Sequence, residues 1–390
     1  MKKRLYLYFH RRTHSVLLAR VLGEAAYAAF EWAYLVKCLF VHRAMVGQDY
    51  GQALNRVSQE HPKPNSPHTI TNPQIDRSLD LCIVIPVFNS ETYLSDCIDS
   101  VLAQQTGYRY EVIVVDDGST DGSREILQRY ERAGQIRLVH QENSGTAKAR
   151  NSGIDQSNGQ YIMFVDSDDL VDTSIVEELL NEAYATGNDI AACGYYTFGS
   201  LADKHLFIDR QIDIRVNDRD LIMNYDGFAH GKVYKRELFN AVRFPEGYWF
   251  EDTLTHFITF RLCSSFSYHP RALYGYRTNE KGATRTYYQS ERCIDAYWIV
   301  EYMIDESHRL GIGDDVSLYK TALRHSGALL HERIGSRDTA TREAVFAMAC
   351  ELTRRLRPSE KYRFPFMYRQ LEKSLLNRDY ALWELTSRYF

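Results

Sequence analysis

Short apolar runs alternate with helix-like segments between residues 81 and 193, and this alternation constrains the fold more than any other feature. The first run, 81–86, is apolar throughout, which is typical of a strand buried on both faces. Alternating strands and helices imply right-handed crossovers and a mainly parallel sheet. The predicted strands are 81–86, 112–115, 136–139, 161–165 and 190–193, and the predicted helices are 93–102, 121–130, 146–157 and 175–184.

Clusters of polar residues stand at or shortly after the ends of the first four strands, in residues 86–89, 116–121, 143–153 and 166–169. Taken alone, each cluster could be a turn or a helix cap. Their placement at successive strand ends favours a binding site, because ligands of such sheets lie at the carboxyl ends of the strands.

The carboxylates in these clusters indicate a divalent cation or a nucleotide. Asp166 and Asp168 are two residues apart, so one turn can present both to Mn²⁺ or Mg²⁺, together with phosphate oxygens. A carboxylate also accepts hydrogen bonds from ribose hydroxyls or from a base imide N–H. The sequence has neither a G-x-x-x-x-G-K-[ST] phosphate loop nor a G-x-G-x-x-G turn after a strand, which argues against ATPases and dinucleotide-binding enzymes.

Four motifs, in order, resemble glycosyltransferase family 2. They are IVIPVFNSETYL, VIVVDDGSTDGS, ENSGTAKARNSGI and YIMFVDSDDLV, and the similarity extends from about residue 81 to 194, and more loosely to 286. The resemblance implies a GT-A fold, which is an α/β fold with a Rossmann-like mixed sheet flanked by helices. It also implies an inverting transfer of a sugar from a nucleotide-sugar, often a UDP-sugar, to a hydroxyl of a glycan or lipid-linked acceptor in cell-surface polysaccharide synthesis.

The resemblance assigns a nucleotide site and a metal site. Asp168 would ligate Mn²⁺ or Mg²⁺ directly, while Asp166 would face both the ribose and the metal. Asp169 would support this pair or cap the next helix, and Asp117 would accept a hydrogen bond from the uracil imide. The residues implied to surround the nucleotide are Pro86, Phe88, Glu91, Asp117, Asn143, Arg150, Asp166 and Arg277.

An acidic pair further along the chain matches the family's general base. Glu251 and Asp252 directly precede an apolar stripe at helical spacing, which predicts a helix beginning at the pair. The stripe consists of Leu254, Phe257, Ile258 and Leu262. The resemblance makes Asp252 the catalytic base and lets Glu251 orient Asp252 or the acceptor; the alternative is that Asp252 only caps the helix.

Two other segments resemble the family pattern in part. Arg277 would neutralise the departing diphosphate; the alternative is that Arg277 is only a surface residue. Thr284, in the same segment, occupies a position where the family often has serine. The segment 230–232 reads His-Gly-Lys where the family often has Trp-Asn-Lys on the acceptor side.

The rest of the chain is predicted to be helical or extended. We expect a basic amphipathic helical region in residues 1–58, a linker in 59–78 with four of the nine prolines, the GT-A domain in 79–286 and a helical region in 287–390. For the helices of residues 287–390 the sequence leaves three roles open, which are packing of a core, binding of the acceptor and formation of a homo-oligomer.

Residues 1–46 have a net charge of +6, in contrast to −4 for the whole chain. Charges interrupt the apolar stretch of this region, so we expect it not to span a membrane. Two alternatives stay open: it lies on an anionic membrane surface, or it docks as a helical hairpin on the catalytic domain or on a partner subunit.

Charge and cysteine content exclude other classes of protein. A net charge of −4 disfavours nucleic-acid binding. The seven cysteines are scattered, with no pair at C-x-x-C spacing, so a reducing cytoplasm is expected rather than a disulfide framework or a zinc site. The alternatives to a glycosyltransferase are a sugar-1-phosphate nucleotidyltransferase, which would need a glycine-rich phosphate loop after the first strand, and a catalytically inactive glycan- or nucleotide-binding module.

Overall fold

A computed structural model describes residues 16–41, 44–66, 69–199, 205–208, 212–215, 222–223, 225–279 and 287–390. The chain forms two compact units. We call residues 63–313 the sheet unit, and residues 1–62 together with 314–390 the terminal unit. The segment with Thr284 lies outside the described residues, as do residues 1–15 of the predicted N-terminal region.

One sheet of ten strands forms the centre of the sheet unit within the described residues. The strands are β1 (Leu81–Val87), β2 (Tyr110–Asp116), β3 (Arg137–His140), β4 (Tyr161–Phe164), β5 (Leu170–Val171), β6 (Ile190–Phe198), β7 (His205–Phe207), β8 (Ile212–Arg215), β9 (Lys232–Lys235) and β10 (Ser265–Arg277).

The helices of both units follow in chain order. The α-helices are α1 (Val16–Phe40), α2 (Tyr50–Glu60), α3 (Leu94–Leu102), α4 (Ser123–Arg132), α5 (Thr146–Gln156), α6 (Ile175–Thr186), α7 (Phe260–Leu262), α8 (Asp295–Arg309), α9 (Val316–Arg324), α10 (Leu330–Arg333), α11 (Thr339–Leu356), α12 (Phe366–Leu376) and α13 (Tyr380–Tyr389). Short 3-10 helices occupy Arg236–Phe239, Tyr287–Gln289 and Glu291–Ile294, and π-helical turns occupy Thr255–Thr259 and His325–Leu329.

The sheet is mixed. Its order is β3-β2-β1-β4-β9-β6-β10-β5, with β7 paired to β6 and β8 paired to β10. The strands β3, β2, β1 and β4 are parallel to one another, as the strand–helix alternation predicts. Strand β9 is antiparallel to both β4 and β6, whereas β6 and β10 are again parallel. The other pairings, of β5 and β8 with β10 and of β7 with β6, are antiparallel.

Burial on both faces explains why β1 lies at the centre of the parallel half. All seven of its residues are buried. One face packs against α3 and α6, and the other packs against α5. A Cβ atom at Gly153 would lie 2.2 Å from Val84 Cγ1, so α5 lies directly on β1. This close contact fixes the position of the polar residues that α5 carries.

The proline-containing segment predicted as a linker lies mostly in the sheet unit. Glu246 N donates to Ser66 Oγ (2.7 Å), and Tyr248 Oη donates to Pro64 O (2.7 Å). The sheet unit also extends beyond the predicted boundary at residue 286, because α8 packs in it and Arg261 Nη1 donates to Ser307 Oγ (2.8 Å). The two compact units are divided at residues 62/63 and 313/314, and the domain boundaries at residues 79 and 286 stay predictions.

The terminal unit joins the two ends of the described chain. Within it, α1 packs against α12 and α13, with the Tyr34 ring 5.5 Å from the Phe366 ring. Helix α2 lies along α11, where Arg56 Nη2 is 3.0 Å from Asp338 Oδ1. No described helix is long and apolar enough to cross a membrane.

Candidate active site

The polar clusters meet at one edge of the sheet, where the parallel strands end. Asp116 is the last residue of β2, and Asp117 follows it. Asp166 lies two residues beyond the end of β4, after Val165. Pro86 is buried within β1, whereas Phe88, directly after this strand, is 47% exposed. The sheet therefore places an exposed aromatic ring and several carboxylates at the edge predicted to bind a ligand.

Asp117 holds the loop that contains Asn143. Its Oδ1 accepts hydrogen bonds from Gln141 Nε2 (2.7 Å) and Ser144 N (2.9 Å), and its Oδ2 accepts one from Gly145 N (2.8 Å). Gly118 has a φ of +74°, and a Cβ atom there would lie 2.8 Å from Asn143 N. Three donors already contact Asp117, so a base imide N–H would be a fourth donor to a group that can accept about four.

Glu91 and Asn89 anchor the segment after β1 to the loop after β2. Glu91 Oε2 accepts from Gly122 N (2.7 Å), and Asn89 Oδ1 accepts from Thr120 N (2.8 Å). Glu91 is therefore bonded to the protein backbone at the start of α4. That it also borders the ribose stays a prediction.

Arg150 links the Asp166–Asp168 motif to the Glu251–Asp252 pair. Its Nη2 is 2.7 Å from Asp166 Oδ1, and its Nη1 is 2.7 Å from Glu251 Oε1. Burial lowers the pKa of this guanidinium, but the charges of Asp166 and Glu251 outweigh burial, so the pKa is raised. The same partner keeps the pKa of Asp166 below its usual value, although burial acts in the opposite direction. The three groups thus form an ionic cluster around a buried guanidinium, with both carboxylates partly exposed.

Asp169 is a buried support for this motif. Its Oδ2 accepts a hydrogen bond from Tyr274 Oη (2.6 Å), and its Oδ1 accepts one from Arg277 N (2.7 Å). Tyr274 Oη in turn accepts a hydrogen bond from Asp166 N (3.1 Å). Burial, together with the charges of Asp166 and Asp168, raises the pKa of Asp169 well above its usual value. Strand β10 therefore fixes the loop that follows β4.

Asp168 lies between Arg277 and Asn279. Arg277 Nε donates to Asp168 O (2.6 Å), and Asn279 Nδ2 donates to Asp168 Oδ2 (3.3 Å). The Arg277 guanidinium also lies 4.4 Å from the centre of the Tyr93 ring. Arg277 thus contacts the Asp166–Asp168 motif, and its contact with a diphosphate stays a prediction.

The residues at this edge fit a divalent cation. Burial and the charge of Asp166 raise the pKa of Asp168. The positive groups of the protein therefore do not fully offset the negative charge of an ionised Asp168, and a cation would do so. Within the described part of the chain, no group of three or more His, Cys, Asp or Glu side chains could hold a metal ion. One or two carboxylates plus ligand phosphates is, however, the usual Mg²⁺ or Mn²⁺ site.

Glu251 and Asp252 stand just before a helical segment, as the sequence predicts. Phe250 has a φ of +65°, and Thr255 N donates to Asp252 O (2.9 Å) at the start of the π-helical turn. The charge of Asp252 acts to raise the pKa of both Arg150 and Lys232, so this carboxylate lies near both. For Lys232 burial acts more strongly, and the pKa falls to about 8. The acidic pair therefore lies beside the ionic cluster.

His230 is a feature of this region that the sequence does not explain. It is buried, its ring is stacked on the Tyr274 ring at 4.3 Å, and neither ring nitrogen has a hydrogen-bond partner among the described residues. Burial lowers its pKa to about 3, so the ring is neutral at ordinary pH. A neutral aromatic ring here packs where the family often has tryptophan.

The structure thus brings Arg150, Asp166 and Glu251 into direct contact and places Arg277 against Asp168. Three groups that the sequence did not assign also shape the site: Tyr274, Asn279 and the buried ring of His230. The sequence indicates Asn279 only weakly, through its position two residues after Arg277. No pattern in the sequence pairs Tyr274 with Asp169.

Comparisons with known proteins identify the family of this chain. The family model Glycosyl transferase family 2 matches residues 82–243. The chain is 31% identical to the glycosyltransferase GlyG of Streptococcus pneumoniae over 255 residues, which cover 62% of this chain and 84% of GlyG. It is 33% identical to the glycosyltransferase GlyA of the same organism over 53% of this chain, but spans only 32% of GlyA.

A solved structure supports the fold. The S. aureus TarS fragment 1–349 in complex with UDP superposes with a TM-score of 0.53 and 19% identity, covering 80% of this chain and 90% of that fragment. The same fragment has also been solved with UDP-GlcNAc. This likeness confirms the predicted GT-A fold.

Proposed function

Since this chain belongs to glycosyltransferase family 2, we propose that it moves a sugar from a nucleotide-sugar, specifically a UDP-sugar, to a hydroxyl group of a glycan or lipid-linked acceptor, with inversion at the anomeric carbon. The TarS complexes with UDP and UDP-GlcNAc support this choice of nucleotide. The acceptor would belong to a cell-surface polysaccharide, as the family resemblance implies. The observation that carries the proposal is the contact of Arg150 with both Asp166 and Glu251.

The nucleotide would lie at the ends of β1 and β2. Phe88 presents an exposed ring there, on which a base can pack. Asp117 and the Asn143 loop form the other wall, with Gly118 allowing the close backbone contact between them. We assign the base and the ribose to this region.

Asp168 would hold Mn²⁺ or Mg²⁺, helped by the Asp166 oxygen that does not contact Arg150. When bound, the cation would offset the charge of the donor diphosphate and of the departing nucleoside diphosphate. Arg277, which already contacts the backbone of Asp168, would supply further positive charge on the same side. Asp169 and Tyr274 would keep this loop in position.

Asp252 would remove the proton from the acceptor hydroxyl. An inverting transfer is one in-line displacement, so the base must stand across the sugar from the diphosphate. The family resemblance gives this role to Asp252, while Glu251 is held by Arg150 at 2.7 Å and would orient Asp252 or the acceptor. A carboxylate is a weak base towards an alcohol, so proton transfer would come late in the displacement.

We place the reaction in the cytoplasm. None of the seven cysteines, all of which lie in described parts of the chain, forms a disulfide bond, which supports a reducing compartment.

A panel of UDP-sugars and dTDP-sugars tests the proposal. We expect nucleotide release from at least one UDP-sugar in the presence of Mn²⁺ or Mg²⁺, and loss of this release on chelation with EDTA. Release from no donor, with either cation and with glycan acceptors present, would contradict the proposal and favour an inactive binding module. Binding of UDP without any turnover would point to the same alternative.

A further inference from the structure

Helix α1 has two apolar faces, and only one of them is covered by the terminal unit. On the covered face, Tyr34 is buried against Phe366, and its hydroxyl is 2.7 Å from Thr386 Oγ1. Phe30 and Cys38 pack against the same cluster of buried residues. This face accounts for the attachment of α1 to α12 and α13.

The other face of α1 carries large apolar side chains in solvent. Trp32 is 69% exposed, Leu39 is 82% exposed and Phe40 is 79% exposed. Leu39 and Phe40 follow Trp32 by about two helical turns, so these side chains lie on one side of the helix. We call this face the α1 stripe; it consists of Ala25, Ala28, Trp32, Leu35, Leu39 and Phe40, all of them exposed and none of them charged. A contiguous exposed apolar surface of this kind marks an interaction site.

A cationic cavity lies on helix α12, which also contacts α1. The cavity has a volume of about 670 Å³, and its polar lining is Arg354, Arg357, Arg369, Glu372, Lys373 and Asn377. Arg369 and Lys373 follow Phe366 by three and seven residues, so they share its side of the helix. Burial raises the pKa of the Cys38 thiol while the charge of Lys373 acts against this, which places Lys373 near the end of α1.

The positive charge at this cavity is only partly compensated. Arg354 Nη1 lies 3.2 Å from Glu351, and Arg357 Nε lies 3.8 Å from Glu372. Neither Arg369 nor Lys373 forms an ion pair with any described residue. In addition, the sequence before α1 contains five basic residues and no acidic one: Lys2, Lys3, Arg4, Arg11 and Arg12. The terminal unit therefore combines an apolar helix face with excess positive charge.

We propose that the terminal unit binds the surface of a bilayer that contains anionic phospholipids, with the α1 stripe inserted at the boundary between headgroups and acyl chains and with Arg369 and Lys373 on lipid phosphates. An apolar helix face flanked by cations is the combination that binds such surfaces without crossing them. Pairing of two copies through the same surface is disfavoured, because it would bring their uncompensated cations together. The inference concerns location and does not depend on the proposed reaction.

Vesicle flotation of the full-length protein tests this inference. We expect the wild type to bind vesicles of phosphatidylcholine with phosphatidylglycerol, and to bind phosphatidylcholine alone more weakly. Trp32→Ser combined with Leu39→Ser should weaken binding about tenfold or more, since each side chain loses its burial in the bilayer. The matched control is Leu206→Ser with Ile208→Ser, which removes two exposed apolar side chains from the sheet unit and should bind as the wild type does.

The charge contribution has its own pair of variants. Arg369→Gln combined with Lys373→Gln should weaken binding to the anionic vesicles about 25-fold, at about fivefold for each charge removed. The control, Arg129→Gln combined with Arg132→Gln, changes net charge equally on α4 and should bind normally. Transfer to a soluble acceptor should be unchanged in all four variants, so that a failure here is distinct from a failure of the proposed function.

Three outcomes would overturn the inference. The first is that the wild type does not bind anionic vesicles at low salt. The second is that the stripe variant and its control bind equally well. The third is a concentration-dependent dimer in sedimentation that Trp32→Ser with Leu39→Ser abolishes, since the stripe would then be covered by a second copy.

Discussion

Arg150 and Asp166 form a partly buried ion pair, with the guanidinium Nη2 2.7 Å from the carboxylate Oδ1. The other end of the guanidinium contacts Glu251 at the same distance. One side chain on α5 therefore joins the residue that follows β4 to the acidic pair more than 80 residues later in the chain. Its position depends on the tight packing of α5 against β1.

Replacing Arg150 with lysine should damage both ends of this cluster. A lysine keeps the charge but lacks the planar fork that reaches two carboxylates at once. We expect the free energy of unfolding to fall by about 1 to 3 kcal/mol, because one buried carboxylate loses its partner. Denaturant unfolding followed by tryptophan fluorescence measures this change. Arg124→Lys, at a half-exposed arginine near Asp116, is the control and should change stability by less than about 1 kcal/mol.

Replacing Asp252 with asparagine should affect the transfer step alone. Asparagine keeps the size and the capping ability of the side chain but cannot accept the proton. The rate of transfer should fall by about 10² to 10⁴, whereas donor affinity and melting temperature should barely change. Steady-state kinetics and calorimetric binding of UDP measure the two quantities.

The comparison variant for Asp252 is Glu251→Gln. It should reduce transfer less, and it should lower stability more, because Glu251 is the partner of Arg150. Near-normal transfer in Asp252→Asn, or a greater loss of transfer in Glu251→Gln, would give the role of base to Glu251.

Replacing Asp168 with alanine should abolish the effect of divalent cations on donor binding. The donor diphosphate is negative, and it cannot lie beside Asp166 and Asp168 without a cation between them. Calorimetry should show that Mn²⁺ strengthens binding of UDP to the wild type but not to Asp168→Ala. Asp96→Ala, which removes an exposed carboxylate beside Arg277, should respond to Mn²⁺ as the wild type does. Equal affinity of the wild type with and without Mn²⁺ would contradict this assignment.

Asp116 should make the free energy of unfolding depend on pH in the acidic range. Burial raises its pKa, but hydrogen bonds from Ser119 (2.9 Å to Ser119 N) and His140 outweigh burial, so the pKa lies below its usual value. A carboxylate with a lower pKa in the folded state stabilises the fold above the unfolded-state pKa of about 4. This contribution is lost as the pH falls through the folded-state pKa.

Asp116→Asn should therefore lower the free energy of unfolding by about 1 to 2 kcal/mol at neutral pH. The difference from the wild type should shrink as the pH falls from about 4 through the lower pKa that Asp116 has in the folded state. Asp305→Asn, at an exposed ion pair with Lys63, is the control and should have a small effect throughout. A difference that is the same at pH 7 and at pH 3 would contradict the role of the charge.

The first half of the sheet could be predicted because its pattern is local. The strands β1, β2 and β4 each contain a short apolar run next to a helix with its own periodicity, so neighbouring residues carry the signal. Strand β10 has no such pattern, since it mixes aromatic and polar residues with Pro270. Its pairing with β6 depends on residues far away in the sequence, which local patterns do not report.

The site was predictable in its motifs but not in its contacts. The resemblance identifies Asp166 and Glu251, yet nothing in the sequence shows that Arg150 joins them, because the three residues come from separate segments. The prolines of residues 59–78 predict a linker, but not the hydrogen bonds of Pro64 and Ser66 with residues about 180 positions later. Such contacts follow from the tertiary fold alone.

The packing of α1 on α12 and α13 has a consequence for synthesis of the chain. Helix α1 leaves the ribosome early, and its partner Phe366 follows more than 300 residues later. At translation rates of about 5 to 20 residues per second, the apolar side chains of α1 remain without their packing partners for on the order of 15 to 65 seconds. During this interval the nascent chain exposes both faces of the helix, so a chaperone or a nearby lipid surface has time to bind it before the terminal unit can close.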